Sequence, residues 1–202
     1  MPLRLLALLA VSAAVLAAVP AIAALHPVED NPADALVSLP IDDYRYDHAS
    51  RCKEHPARGT VALQNWLERS VRGTSWGIMR CERLSGKNFS LHSEGRALDW
   101  HLDVHDPTDR RAAGRLIALL LAPDRMGNKH ALARRMGIQE IIWNCRSWWS
   151  GAEAMDRYSL CFNRKGHAVK ISDTLAHRDH IHFGLSRRGA RMRTTFWDRR
   201  GQ

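Results

Sequence analysis

Ala97-Leu98-Asp99-Trp100-His101-Leu102 and, far downstream, His180-Ile181-His182-Phe183 both alternate chemically active side chains with apolar ones. Successive residues of a β-strand point to opposite faces, so this period of two asks for two strands, each with a face for chemistry and a face for a core. His180 and His182 then project side by side, their Cα atoms ~6.6 Å apart by the rise of a strand. Ile181 and Phe183 turn the other way. A further histidine, His92, precedes Asp99 by an odd number of positions, which along one straight strand would put the two on opposite faces. The stretch Ser90-Leu91-His92-Ser93-Glu94-Gly95 must therefore bend before the strand begins, and Gly95 is the residue suited to it. Ala97 leaves room on the active face.

His92, Asp99 and one imidazole of the His180/His182 pair offer nitrogen, oxygen and nitrogen ligands from separate elements. The second imidazole is a spare acid/base. A catalytic zinc site needs this set: three protein ligands, with a fourth position for a water whose pKa falls toward about 7. A proton acceptor must stand beside that water. His180 is placed for it, and Asp179 is the other candidate. Strict alternation puts Asp179 on the core side of the strand, where it would orient a neighbouring histidine instead. A strand that starts only at His180 removes that objection. His101, Asp103, His105, Asp106 and Asp109 form a second polar cluster, in which Asp106 is better explained as a helix cap.

Residues 1–23 read as a secretory signal peptide, with Arg4 before an apolar run and Ala21-Ile22-Ala23 as the cleavage site. The run is shorter than the ~20 apolar residues that span a bilayer. Residues 24–58, rich in Pro and Asp, form an extended lead-in, and 59–202 one domain with a basic C-terminal tail. Helices are expected over 60–71, from an Asp106 cap through Pro107 to a stop before Pro123, and over 128–136 with Gly137 as terminator. Strands are expected over 76–84, 138–145 and 180–186, and loops at 85–88 and 148–151, the latter carrying Trp148 and Trp149. Separate helices and strands point to the α+β class. Cys52, Cys81, Cys145 and Cys161 are even in number, lack any C-x-x-C spacing and sit in an exported chain, so disulfides are expected. Pairing Cys52 with Cys81 and Cys145 with Cys161 closes the shortest loops. The net charge is +9, or +8 without Arg4. Arg187, Arg188, Arg191, Arg193, Arg199 and Arg200 concentrate it at the C-terminus. Outside a cell this favours anionic wall polymers as partners and not nucleic acid.

Ser90-x-His92-x-x-Gly95-x-Ala97-x-Asp99 together with His180-x-His182 closely resembles the zinc D-alanyl-D-alanine carboxypeptidase family, over roughly residues 76–185. The resemblance implies a hedgehog/DD-peptidase-like fold: a small antiparallel sheet flanked by helices, with the zinc site on the sheet. It implies Zn2+ held by His92, Asp99 and His182, with His180 or Asp179 as general base and His177 as a further active-site histidine. Arg80 and Arg83 are the candidates for an arginine that binds the substrate. Ile141-Ile142-Trp143-Asn144 with His177-Arg178-Asp179-His180 looks like secreted actinobacterial members of this group. The implied activity is hydrolysis of peptidoglycan stem peptides or cross-bridges by a secreted, wall-associated monomer. The alternative is a non-catalytic, zinc-stabilised wall-binding module of the same fold.

Overall fold

The structure, a computed structural model, describes residues 31–85 and 88–198. The segment read as a signal peptide lies outside the described residues, as do Arg199, Arg200 and the middle of the expected turn at 85–88.

Helix α1 (Arg58–Ser70) forms where Leu63 and Leu67, one turn apart, bury the same face. Strand β1 (Thr74–Gly77) follows, and β2 (Arg83–Ser85) pairs with β3 (Asn88–Phe89) in a separate small hairpin. The single strand expected over 76–84 is therefore two. Gly77 bulges out of register at a φ of 118°, and residues 78–82 leave the sheet to serve other partners described below. Leu91–Glu94 make one turn of 3-10 helix, begun by Ser90 Oγ accepting the His92 N–H and ended by Gly95 in the left-handed conformation, φ 66°. The bend lies where the odd spacing requires it. A Cβ at Gly95 would also press on Pro56 Cα at 2.7 Å, so both conformation and space demand glycine.

Strand β4 (Ala97–His101) leads to α2 (Pro107–Leu121), whose first turn is capped by the Asp106 carboxylate accepting from the Thr108 and Asp109 N–H groups. Helix α3 (Ala131–Met136) starts later than residue 128, because the Asp124 carboxylate folds 124–128 into a turn and His130 adopts a left-handed φ of 53°. Gly137 ends it as expected. The remaining elements are β5 (Ile138–Trp143), β6 (Arg146–Trp149), β7 (Asp156–Arg157), β8 (His180–Leu185) and the short α4 (Arg187–Ala190). Trp148 and Trp149 thus lie on a strand and not in a loop. Alternation turns Trp148 fully inward, its indole N–H donating to the Ala152 carbonyl, and leaves Trp149 partly exposed.

The class is α+β. Six strands form one antiparallel sheet in the order β1-β4-β8-β5-β6-β7. Leu98 and Trp100 of β4, Ile181 and Phe183 of β8 and Ile141 of β5 share a core with Leu116 and Leu120 of α2 and Leu132 and Met136 of α3. Each such side chain contributes about 1.5–3 kcal/mol on burial. The opposite side of β4 and β8 carries Asp99, His180 and His182.

Residues at both ends of the described chain clamp the domain. Pro32–Leu36 form a 3-10 turn, and the backbone N–H and hydroxyl of Thr195 donate to Asp42. The basic C-terminal segment is partly built in: α4 packs against α1, and Trp197 donates from its indole N–H to the Met136 carbonyl. Cys52–Cys81 and Cys145–Cys161 are disulfides, the pairing expected from loop length, and they suit an extracellular or secreted protein. No helix among the described residues is long and apolar enough to cross a membrane.

Candidate metal site

Asp99 stands opposite His182 across the β4–β8 pair, and the 3-10 turn drops His92 onto both. His92 Nε2 lies 3.1 Å from Asp99 Oδ1 and 3.2 Å from His182 Nδ1, and the latter two atoms are 3.0 Å apart. All three residues are buried. Tetrahedral zinc with bonds of about 2.0–2.1 Å sets its ligand atoms about 3.3–3.4 Å apart, close to this triangle.

The far side of each imidazole decides what the triangle can hold. His92 Nδ1 is 2.8 Å from the Ile78 carbonyl, so it carries the proton and leaves Nε2 bare. His182 Nε2 is 3.4 Å from Glu140 Oε1, which places its proton there and leaves Nδ1 bare. With both rings neutral in these tautomers three lone pairs converge, an arrangement suited to a cation, and without one a proton on His182 takes its place. The His92-Asp99-His182 group could hold a metal ion. Without one, burial alone would pull the His182 pKa down, but Asp99 and Glu140 outweigh it and lift the value to about 9. Burial likewise works against ionising Asp99, yet hydrogen bonds from His182 and His92 hold its carboxyl well below the usual carboxylate range.

His180 begins β8 beside this triangle, with Nε2 3.6 Å from Asp99 Oδ1. Its Nδ1 is 2.7 Å from Asp179 Oδ1, and the other Asp179 oxygen accepts from the Thr174 hydroxyl at 2.6 Å. The strand starts after Asp179, so alternation does not bind that residue, and its carboxylate turns back to orient His180. Burial lowers the His180 pKa against the pull of Asp99 and Asp179, which favours the neutral ring. His177, in a left-handed conformation (φ 52°), lies 4.7 Å from His180 and 5.8 Å from His182 between ring centres. Burial and those two neighbours push its pKa down to about 3.

Arg80 is held on the site and not free of it: Nη1 donates to Asp99 Oδ2 at 2.7 Å and Nε to Glu82 at 3.2 Å. Arg83 instead lies over the Phe89 ring. The polar residues at 101–109 make no second metal-binding group among the described residues. Asp106 caps α2, and His101 Nδ1 sits on the Asp179 carbonyl at 2.7 Å.

Four contributors went unread in the sequence. They are the Ile78 carbonyl, Glu140, half-exposed Trp76 stacked on His101 at 4.4 Å, and Tyr158 edge-on to His177. Only Glu140 carries a sequence signal, a carboxylate set among the apolar residues of a strand that is buried throughout.

No curated protein and no solved structure matches the chain. A family model does match, across residues 52–167, a span that takes in Arg80, His92, Asp99 and Glu140 and stops before His180 and His182. That span is more than half of the 202 residues, and the chain belongs to the family described as VldE, C-terminal domain.

Proposed function

We propose that the protein is a secreted zinc metallopeptidase with the hedgehog/DD-peptidase fold. It hydrolyses peptide bonds in peptidoglycan stem peptides or cross-bridges at the cell wall. The observation that carries this reading is a buried histidine–aspartate–histidine triangle with an oriented histidine standing beside it and, among the described residues, no fourth member of the group. A purely structural zinc site closes its fourth position with a protein group, whereas a catalytic one keeps it for water or substrate.

Zinc held by His92, Asp99 and His182 would supply Lewis acidity, polarising the scissile carbonyl and letting water attack near neutral pH. The chain's own residues handle the proton. Asp179 accepts from His180 Nδ1–H, so Nε2 carries the free lone pair and faces the reaction space. It takes the proton that water loses on attacking the carbonyl carbon and returns it to the amine nitrogen as the C–N bond breaks. Arg80 steadies Asp99 through Oδ2 and leaves Oδ1 for the metal. The same arginine lies at the rim, where a substrate carboxylate or a developing oxyanion would meet it.

The test uses the purified protein. Zinc per chain is measured by mass spectrometry, and defined muropeptides are digested and their products weighed. Zinc-loaded wild type is expected to cleave, and His180→Ala to keep its zinc while turnover falls about 10²–10⁴-fold, the range for losing a general base. Zinc-loaded protein that cleaves no stem peptide or cross-bridge would sink the peptidase reading. It would favour a zinc-stabilised wall-binding module, to which His180→Ala makes no difference.

A further inference from the structure

Glu140, which the proposed chemistry leaves unused, is a carboxylate buried on the central strands of the sheet. Its residue is 7 % exposed, as little as the histidine beside it. Register explains how it reaches the site. In the β5–β8 pair Ile142 stands opposite His182 and Glu140 opposite Gly184, so Glu140 is the diagonal neighbour of His182. Gly184 leaves the space: a Cβ there would come within 3.1 Å of Glu140 Cβ and would collide with Leu91.

Among the described residues the two carboxylate oxygens have one polar side chain each. Oε1 is 3.4 Å from His182 Nε2, and Oε2 accepts the Tyr46 hydroxyl at 2.9 Å. Tyr46 is itself fixed edge-on between His48 and Trp149, at 4.9 and 5.6 Å between ring centres. A buried carboxylate is costly unless each oxygen is answered. This one is answered on one side by a tyrosine from the N-terminal lead-in and on the other by the ring whose far nitrogen completes the metal triangle.

We infer that Glu140 is a positioning residue for the metal centre: it keeps the proton on His182 Nε2, so that Nδ1 is the ligand, and Tyr46 fixes the carboxylate that does so. The inference rests on the metal reading above. Partners of this kind raise ligand basicity and fix ring orientation, and their loss weakens metal binding about 10–100-fold. Glu140 also places a second negative charge, after Asp99, near a dication that would otherwise be buried with only one.

Zinc affinity is measured by competition with a chromophoric chelator, and the visible spectrum of the cobalt(II)-loaded protein reports the ligand field. The melting temperature of the metal-free protein controls for folding. Glu140→Ala is expected to weaken zinc binding about 10–100-fold and to alter the cobalt spectrum. Glu140→Gln keeps an acceptor oxygen without the charge and should restore part of the affinity and most of the spectrum. Tyr46→Phe, which removes one hydroxyl, should move both in the same direction by less. Should Glu140→Ala fail to fold, Glu140→Gln and Tyr46→Phe carry the comparison. Variants that bind zinc as tightly as wild type, with an unchanged cobalt spectrum, would overturn the inference while leaving the metal site standing. Wild-type protein that takes up no metal would bring down both.

Discussion

Arg96 is 1 % exposed, and its guanidinium ties three distant segments together. Nε donates to Glu94, Nη1 to the Leu185 carbonyl at the end of β8, and Nη2 to the Asp47 carbonyl in the lead-in. Glu94 answers with its other oxygen, which accepts from Ser50. Replacing Arg96 by Met strips that buried carboxylate of its closest cation, leaving Ser50 and the more distant Arg187 at 3.6 Å, and denaturant unfolding should show a loss of about 3 kcal/mol. Gly95→Ala between them forces a side chain into a left-handed φ against Pro56, and should cost more than about 1 kcal/mol in the same assay. At this scale the convergence of His92 and Asp99 with a histidine of the His180/His182 pair was legible, because a period of two and an odd separation are geometric facts that any strand must obey; that His182 is the one came from the family resemblance. The roles of Glu94, Arg96 and Glu140 were not. Each depends on a partner supplied by non-local pairing, and nothing in the local pattern says which carbonyl, hydroxyl or ring will stand opposite.

Both disulfides staple segments that build the site. Cys81 anchors the stretch that presents the Ile78 carbonyl and Arg80. Cys145 anchors a turn whose N–H groups, with that of Asn144, hold the Ala176 and His177 carbonyls, while its own carbonyl receives the Tyr158 N–H. Replacing Cys145 and Cys161 by Ser should lower stability by about 3 kcal/mol, read by thermal unfolding of oxidised and mutant protein. Helix α2 gives a pH-dependent case. Backbone N–H groups of Asp109 and Thr108 hold the Asp106 carboxyl below its usual range. A group whose folded pKa is depressed stabilises the fold above its unfolded value, about 3.9, and loses that effect as the pH falls through the lower folded one. The melting-temperature difference between wild type and Asp106→Ala should therefore be full at pH 6 and shrink toward pH 3. Helix α2 was readable because its cap, its opening proline and its stop are all local signals. The strand over 76–84 was misread because its residues favour extended backbone while the disulfide and the site pull five of them out of the sheet. Trp148 and Trp149 looked like loop residues since the glycine beyond them marks the turn better than the strand before it.

The molecule as a whole draws the three residues that could hold a metal from a turn and two strands, so that on the proposed reading holding an ion and holding the fold are coupled. Binding that favours only the folded state adds about 4 kcal/mol at a ligand concentration a thousand times the dissociation constant. Stripping the protein with a chelator should lower its melting temperature by several degrees, and zinc should restore it. A melting temperature unmoved by chelation would argue that no ion was held. The order of the sheet adds something different. Strand β8 lies at its centre, between β4 and β5, yet it is the last strand in the chain. During synthesis β4 and β5 emerge first and have no edge to share until residues 180–185 arrive between them. The two halves of the sheet stay apart, and both histidines that finish the site come with the strand that joins them. A chain cut short before His180 has neither a centre to its sheet nor the third member of its candidate metal triangle.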